Sequence, residues 1–265
     1  MSEPFFSIIV AAFNAQDTIR KTIDSVISQN FDDYEIIVKD GGSKDGTLAN
    51  IPESEKIKVY SNPDGGIYQG MNEGIGYSSG RYLCFLNCGD FFENENVLSS
   101  FYELAKDLPD SKNILYGNYS RNGVHFKQPS QITPFYLYRT PLCHQTMFFG
   151  KDIFSEFGGY DTSYRILADY NHTLHAFSKG LPFLYADVVV CDYLGGGASE
   201  TKKGNAIKKA EYDIIQRKYF TKSQLSKYKF KVFISFRGLR QALISDKSPA
   251  WVRKLYRALV NKVNG

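Results

Sequence analysis

Cysteine is scarce in this chain and long apolar runs are missing, and each shortage excludes something. The four cysteines, Cys84, Cys88, Cys143 and Cys191, form no C-x-x-C pair. That argues against a zinc site. Most sit in apolar context and read as reduced, packed thiols. No run of about 18 apolar residues occurs, so no transmembrane helix is predicted. Met1-Ser2-Glu3-Pro4 lacks the basic region and apolar core of a signal peptide, and a strand begins almost at once. A cytosolic protein is therefore expected. There is no internal repeat and no low-complexity segment. The glycines of Gly74-Ile75-Gly76-Tyr77-Ser78-Ser79-Gly80 imitate a dinucleotide fingerprint, but they are spaced one residue too long and precede a strand instead of following one.

What is present is a sharp division of charge. Residues 1–201 hold 15 Lys/Arg against 25 Asp/Glu, and residues 202–265 hold 17 against 3. The net charge of +4 thus joins a body of −10 to a tail of +14. An acidic body with a basic tail suggests chemistry in the first and an anionic surface for the second.

The body alternates strand and helix signals. Phe5 to Phe13 reads as a buried strand. Asp17-Thr18 can cap a helix with Ile19, Ile23, Val26 and Ile27 on one face. Tyr34 to Lys39 is a second strand, making a right-handed βαβ unit. Further strands are expected at 56–60, 81–86, 114–119, 145–149 and 183–190, with helices between 70 and 80, over 97–108 and over 169–179.

Three turns follow strands, where an open α/β sheet binds ligands. Asp40-Gly41-Gly42-Ser43-Lys44-Asp45-Gly46-Thr47 is the first and Pro63-Asp64-Gly65-Gly66 the second. Each is also compatible with a plain turn. Asn87-Cys88-Gly89-Asp90 is the third, and a carboxylate there can bind a hard divalent cation. Asp169 stands at a predicted helix start, where it serves either as an N-cap or as a general base for a hydroxyl nucleophile.

Taken in order, Asp40-Gly41-Gly42-Ser43-x-Asp45-Gly46-Thr47, Pro63-Asp64-x-Gly66-Ile67-Tyr68-x-x-Met71-Asn72-x-Gly74-Ile75, Phe85-Leu86-Asn87-x-Gly89-Asp90, His144-Gln145 and Asp169-Tyr170 resemble a family 2 glycosyltransferase. The closest likeness is to short bacterial enzymes of exopolysaccharide and O-antigen assembly, of the colanic acid type. The resemblance covers about residues 5–200. It implies the GT-A fold: a Rossmann-like, mainly parallel sheet flanked by helices, here a catalytic domain over 1–200. It also implies inverting transfer of a sugar from a nucleotide-sugar, a UDP-sugar, to a hydroxyl of a saccharide on a polyprenyl diphosphate. Under the resemblance Asp40 meets the base, and Ala12 and Phe13 line the same pocket. Gly42, Asp64, Asn72 and Asn87 complete the donor site. Asp90 is the ligand of Mn²⁺ or Mg²⁺, in a motif whose earlier positions are Asn and Cys instead of carboxylates. Asp169 is the catalytic base. His144 lies near the acceptor, as a ligand group or as a structural histidine. Gly196 and Ser199 belong to a lid or to a linker. The alternative function is a sugar-nucleotide or glycan-binding protein that has lost catalysis.

Residues 201–265 are expected to be basic and amphipathic helices. Leu225, Tyr228, Val232, Phe236, Leu239 and Leu243 make one stripe, and Trp251, Val252, Leu255, Tyr256, Leu259, Val260 and Val263 another. Such helices suit an anionic membrane surface, on the inner face of the cell membrane. The stripes can also pack on protein. No nucleic-acid recognition motif accompanies the charge.

Overall fold

The structure is a computed structural model and describes residues 3–193, 195, 201–235, 249 and 251. Among these residues nine strands form one mixed sheet. They are β1 (Phe6–Ala12), β2 (Tyr34–Asp40), β3 (Ile57–Ser61), β4 (Tyr82–Phe85), β5 (Phe91–Phe92), β6 (Ile114–Arg121), β7 (Val124–Phe126), β8 (Met147–Gly150) and β9 (Phe183–Asp192). Their order is β3-β2-β1-β4-β8-β6-β9-β5, with β7 paired to β6. The first four are mutually parallel, as are β6 and β9. The chain winds outward from β1 through β2 to β3, then returns to place β4 on the other flank of β1. That reversal opens a crevice at the carboxyl ends of β1 and β4.

Helices cover both faces. On one, α1 (Ile19–Ile27) and α3 (Val97–Ala105) join Ile8, Val10, Ile36, Val38 and Cys84 in the main apolar cluster. Each fully buried Ile or Val there contributes about 1.5–3 kcal/mol. The stripe of α1 is Ile19, Thr22, Ile23 and Val26; Ile27, expected on the same face, is 42% exposed. On the other face, α2 (Ile67–Tyr77) lies against Ile9. A β-carbon at Gly74 would come 2.5 Å from Ile9 Cγ2, so this glycine lets helix and strand approach. Gly74 of the false fingerprint thus serves packing. Helix α2 begins three residues before the predicted segment, because Gly66 at φ 125° turns the chain into it early.

The short α5 (Lys151–Phe157) follows β8, and α6 (Ala168–Ser178) precedes β9. Strands β5 and β7 and helices α4 (Pro134–Arg139) and α5 are too short to show a period and were not expected.

The chain divides into two compact units, residues 1–132 with 141–212, and residues 133–140 with 213–265. The first holds the sheet. The second contains α4, the end of α7 (Lys202–Tyr219) and α8 (Lys222–Ser235). Tyr228 is buried there against Phe135, Tyr138 and Phe220, at ring separations of 5.2–5.7 Å. Part of the first tail stripe therefore packs on protein. Exposed instead are Phe230, Val232 and Phe233, with Lys227 and Lys229. Most of the second stripe lies outside the described residues, as do Gly196 and Ser199; Trp251 is exposed.

Candidate active site

The carboxyl ends of the four parallel strands enclose a cavity of about 550 Å³. Ala11, Ala12 and Phe13 line it from β1, Lys39 and Gly41 from β2, Asp64 and Gly66 from the turn after β3, and Asn87 and Cys88 from the turn after β4. Phe13 stands 64% exposed. The structure thus brings Ala12, Phe13, Asp64 and Asn87 to one cavity. Asp40, Gly42, Asn72 and Asp90 do not line the cavity.

Asp40 shapes the wall from behind. Its carboxylate is fully buried. It accepts the N–H groups of Gly42 (3.1 Å) and Ser43 (3.0 Å), the Ser61 hydroxyl (2.7 Å) and the Ser43 hydroxyl. Burial would raise its pKa, and these hydrogen bonds outweigh that and lower it. Gly42 sits at φ 85°, with Pro63 3.2 Å from where a β-carbon would be, so only glycine fits the turn. Asn72 is bonded both ways to Tyr160, through Nδ2 to the carbonyl (2.9 Å) and Oδ1 from the amide (2.7 Å). It pins a distant loop.

A wired group of side chains continues from Asn87. Asn87 Nδ2 lies 3.2 Å from His144 Nε2, and His144 Nδ1 lies 3.4 Å from Asp169 Oδ2. Tyr68 shares its hydroxyl between Asp169 Oδ1 (2.8 Å) and the Ile166 carbonyl (2.6 Å). Asp169 is the second residue of α6, two past its cap Leu167. Burial alone would raise its pKa; the His144 partner and the Tyr68 hydroxyl outweigh burial and hold it below the usual carboxylate value. His144 is affected the other way, since burial disfavours its charge and Asp169 more than restores it. The pair is therefore an ionised carboxylate facing a histidine that protonates readily.

Among the described residues no three His, Cys, Asp or Glu side chains gather as metal ligands. The oxygens near the crevice still suit a hard cation. Asp90 is a buried carboxylate, with Oδ2 taking a hydrogen bond from Gln145 (2.9 Å). Asn87 Oδ1 is buried without a partner, an orphaned acceptor at the cavity wall. Between them, burial, with Asp40 and Asp90 nearby, pushes the Cys88 thiol up to about 12. Two oxygens leave most of a Mg²⁺ shell to water and phosphate, its usual arrangement.

Sequence reasoning missed Lys39. It is fully buried, with Nζ bonded to the Asp40 and Asn62 carbonyls (2.9 and 2.8 Å) and paired with Asp64 (3.3 Å) and Glu73 (3.5 Å). Its signal was a lysine ending a strand that is apolar on both faces, where a charge must be paired. Tyr68 was part of a quoted motif but was given no role.

The model of the glycosyl transferase family 2 matches residues 7–164, more than half of the chain. The chain belongs to this family. A PGL/p-HBAD biosynthesis glycosyltransferase of Mycobacterium bovis is 31% identical over 209 residues, covering 76% of this chain and 81% of its own. An uncharacterized glycosyltransferase of Mycobacterium tuberculosis is 32% identical over 213 residues, covering 78% and 81%. Among solved structures, S. aureus TarS 1-349 in complex with UDP-GlcNAc superposes with a TM-score of 0.64 at 15% identity, over 97% of this chain and 80% of that one. A Pyrobaculum calidifontis mannosyltransferase in complex with GDP-Man and Mn²⁺ gives 0.57 at 16%, over 98% and 70%. At these identities the structural likeness speaks for the GT-A fold alone.

Proposed function

We propose that this glycosyltransferase uses a nucleotide-sugar, a UDP-sugar, and transfers the sugar with inversion to a hydroxyl of a lipid-linked saccharide. The observation that carries the reading is an ionised, wired carboxylate, Asp169, joined through His144 to the wall of the nucleotide-sized cavity. Ala12, Phe13, Asp64 and Asn87 contact the donor. Asp40, Gly42 and Asn72 hold the loops that shape its site. Asp169 takes the acceptor hydroxyl proton while that oxygen bonds to the anomeric carbon, and the bond from that carbon to the diphosphate breaks on the opposite face. One displacement inverts the centre, so no protein nucleophile is needed. Asp90, with the open oxygen of Asn87, would hold Mn²⁺ or Mg²⁺, which supplies charge neutralisation on the departing diphosphate. A titratable network beside the cavity favours catalysis over a binding protein that has lost it.

The test is nucleotide release by the purified protein from a panel of UDP-, GDP- and dTDP-sugars. Release from one donor, abolished by EDTA, supports the reading; donor binding without turnover in the presence of lipid-linked acceptors opposes it.

Residues 201–265 are proposed to hold the protein on an anionic membrane, with Phe230 and Phe233 of α8 set among lysines. Equal liposome binding by a chain lacking residues 222–265 would sink that part.

A further inference from the structure

One buried charge remains without a task. Glu211, on α7, is one of three acidic residues among the 17 bases of residues 202–265. Its side chain is buried. Its carboxylate accepts three successive backbone N–H groups: Arg165 to Oε1 (2.6 Å), Ile166 to Oε2 (3.1 Å) and Leu167 to Oε2 (2.9 Å). These residues lead directly into α6, and Asp169 follows two positions later.

Three successive N–H groups turned to one side form a nest for an anion. A carboxylate fills it with two acceptor oxygens. A Gln amide offers one oxygen and turns an NH₂ group against a donor. The same segment is gripped from its other side by the Tyr68 hydroxyl, on the Ile166 carbonyl and on Asp169 itself. Tyr212, next to Glu211, sets its ring 5.0 Å from Tyr170, the neighbour of Asp169. Two adjacent residues of α7 therefore bear on the chain just before and just after the base.

We propose that Glu211 is a positioning residue: its carboxylate sets the path of residues 165–167 and so fixes where the Asp169 carboxylate stands. This rests on Asp169 being the base. It also means that a cut after residue 200 removes part of the catalytic support.

Glu211→Gln tests the proposal in the whole protein, with Glu211→Asp as a second variant should the first not fold. Two readouts are taken: amide hydrogen exchange over residues 165–169, which needs no substrate, and nucleotide release from the donor panel with Mn²⁺. The proposal expects faster exchange at these amides and turnover at saturating donor lowered about 100-fold, the usual cost of a misplaced group, with donor KM within about twofold. Glu211→Asp should recover part of the loss. A purely structural glutamate would lower thermal stability and leave turnover per folded molecule unchanged; that result overturns the proposal, as does unchanged exchange. Asp169→Asn is assayed in parallel. If it turns over normally, the base assignment fails and the role of Glu211 falls with it, while the exchange data show separately whether the hold exists.

Discussion

Asp40 and Asp169 are both buried carboxylates near one crevice, and their partners separate their tasks. Asp40 is surrounded by hydroxyls and amide N–H groups that cannot accept its charge. It is a fixed anion that folds the loop after β2. Asp169 is paired with an imidazole that protonates readily, and it accepts the hydroxyl of a phenol that burial keeps protonated. Low pKa is common to the two, so a lowered value alone does not mark a base. What sets Asp169 apart, as the proposed base, is a titratable partner that reaches the cavity wall through Asn87.

That contrast can be sharpened by substitution. Of His144→Ala, Phe13→Ala and Cys88→Ser, the first should have the largest effect, lowering turnover about 100-fold, within the range for losing acid–base support. The sign of its pH dependence follows from the pair. Without the imidazole, burial dominates and the Asp169 pKa rises, so the acid limb of the turnover profile should move to higher pH. An unmoved limb would mean that His144 does not tune Asp169. Phe13→Ala, at the exposed lip of the cavity, should weaken donor affinity about tenfold by calorimetry if the cavity is the proposed donor site, in keeping with a lost stacking surface. Turnover at saturation should hardly change. Cys88→Ser should be the smallest, within about twofold in turnover and metal requirement, because a neutral thiol is replaced by a neutral hydroxyl. A large loss there would give Cys88 a role as ligand.

Much of the cavity was legible because it is built from single segments. Apolar strands β1, β2 and β4 each run into a polar turn, and their carboxyl ends meet wherever the sheet is parallel. Asp64 and Asn87 could be placed from the turns after β3 and β4, and Ala12 and Phe13 from the family resemblance. The burial of Asp40 was not legible, since Ser61 reaches it from a separate strand. Nor was the Asn72 contact with Tyr160, 88 residues away. Glu211 was hidden by composition, as a lone acid in a region that reads as a basic surface. Its three N–H partners belong to the backbone, which carries no sequence signal. The apolar stripe of α8 was legible as a stripe, but Tyr228 turned out to be packed while Phe230 and Phe233 face outward.

The most direct measurement pairs turnover with donor binding in Asp169→Asn. The account predicts turnover lowered by about 10³-fold, as expected for loss of a general base, with donor affinity by calorimetry within twofold. Turnover near that of the parent chain would contradict it, and so would a parallel collapse of donor binding, which would make Asp169 part of the donor site instead of the base.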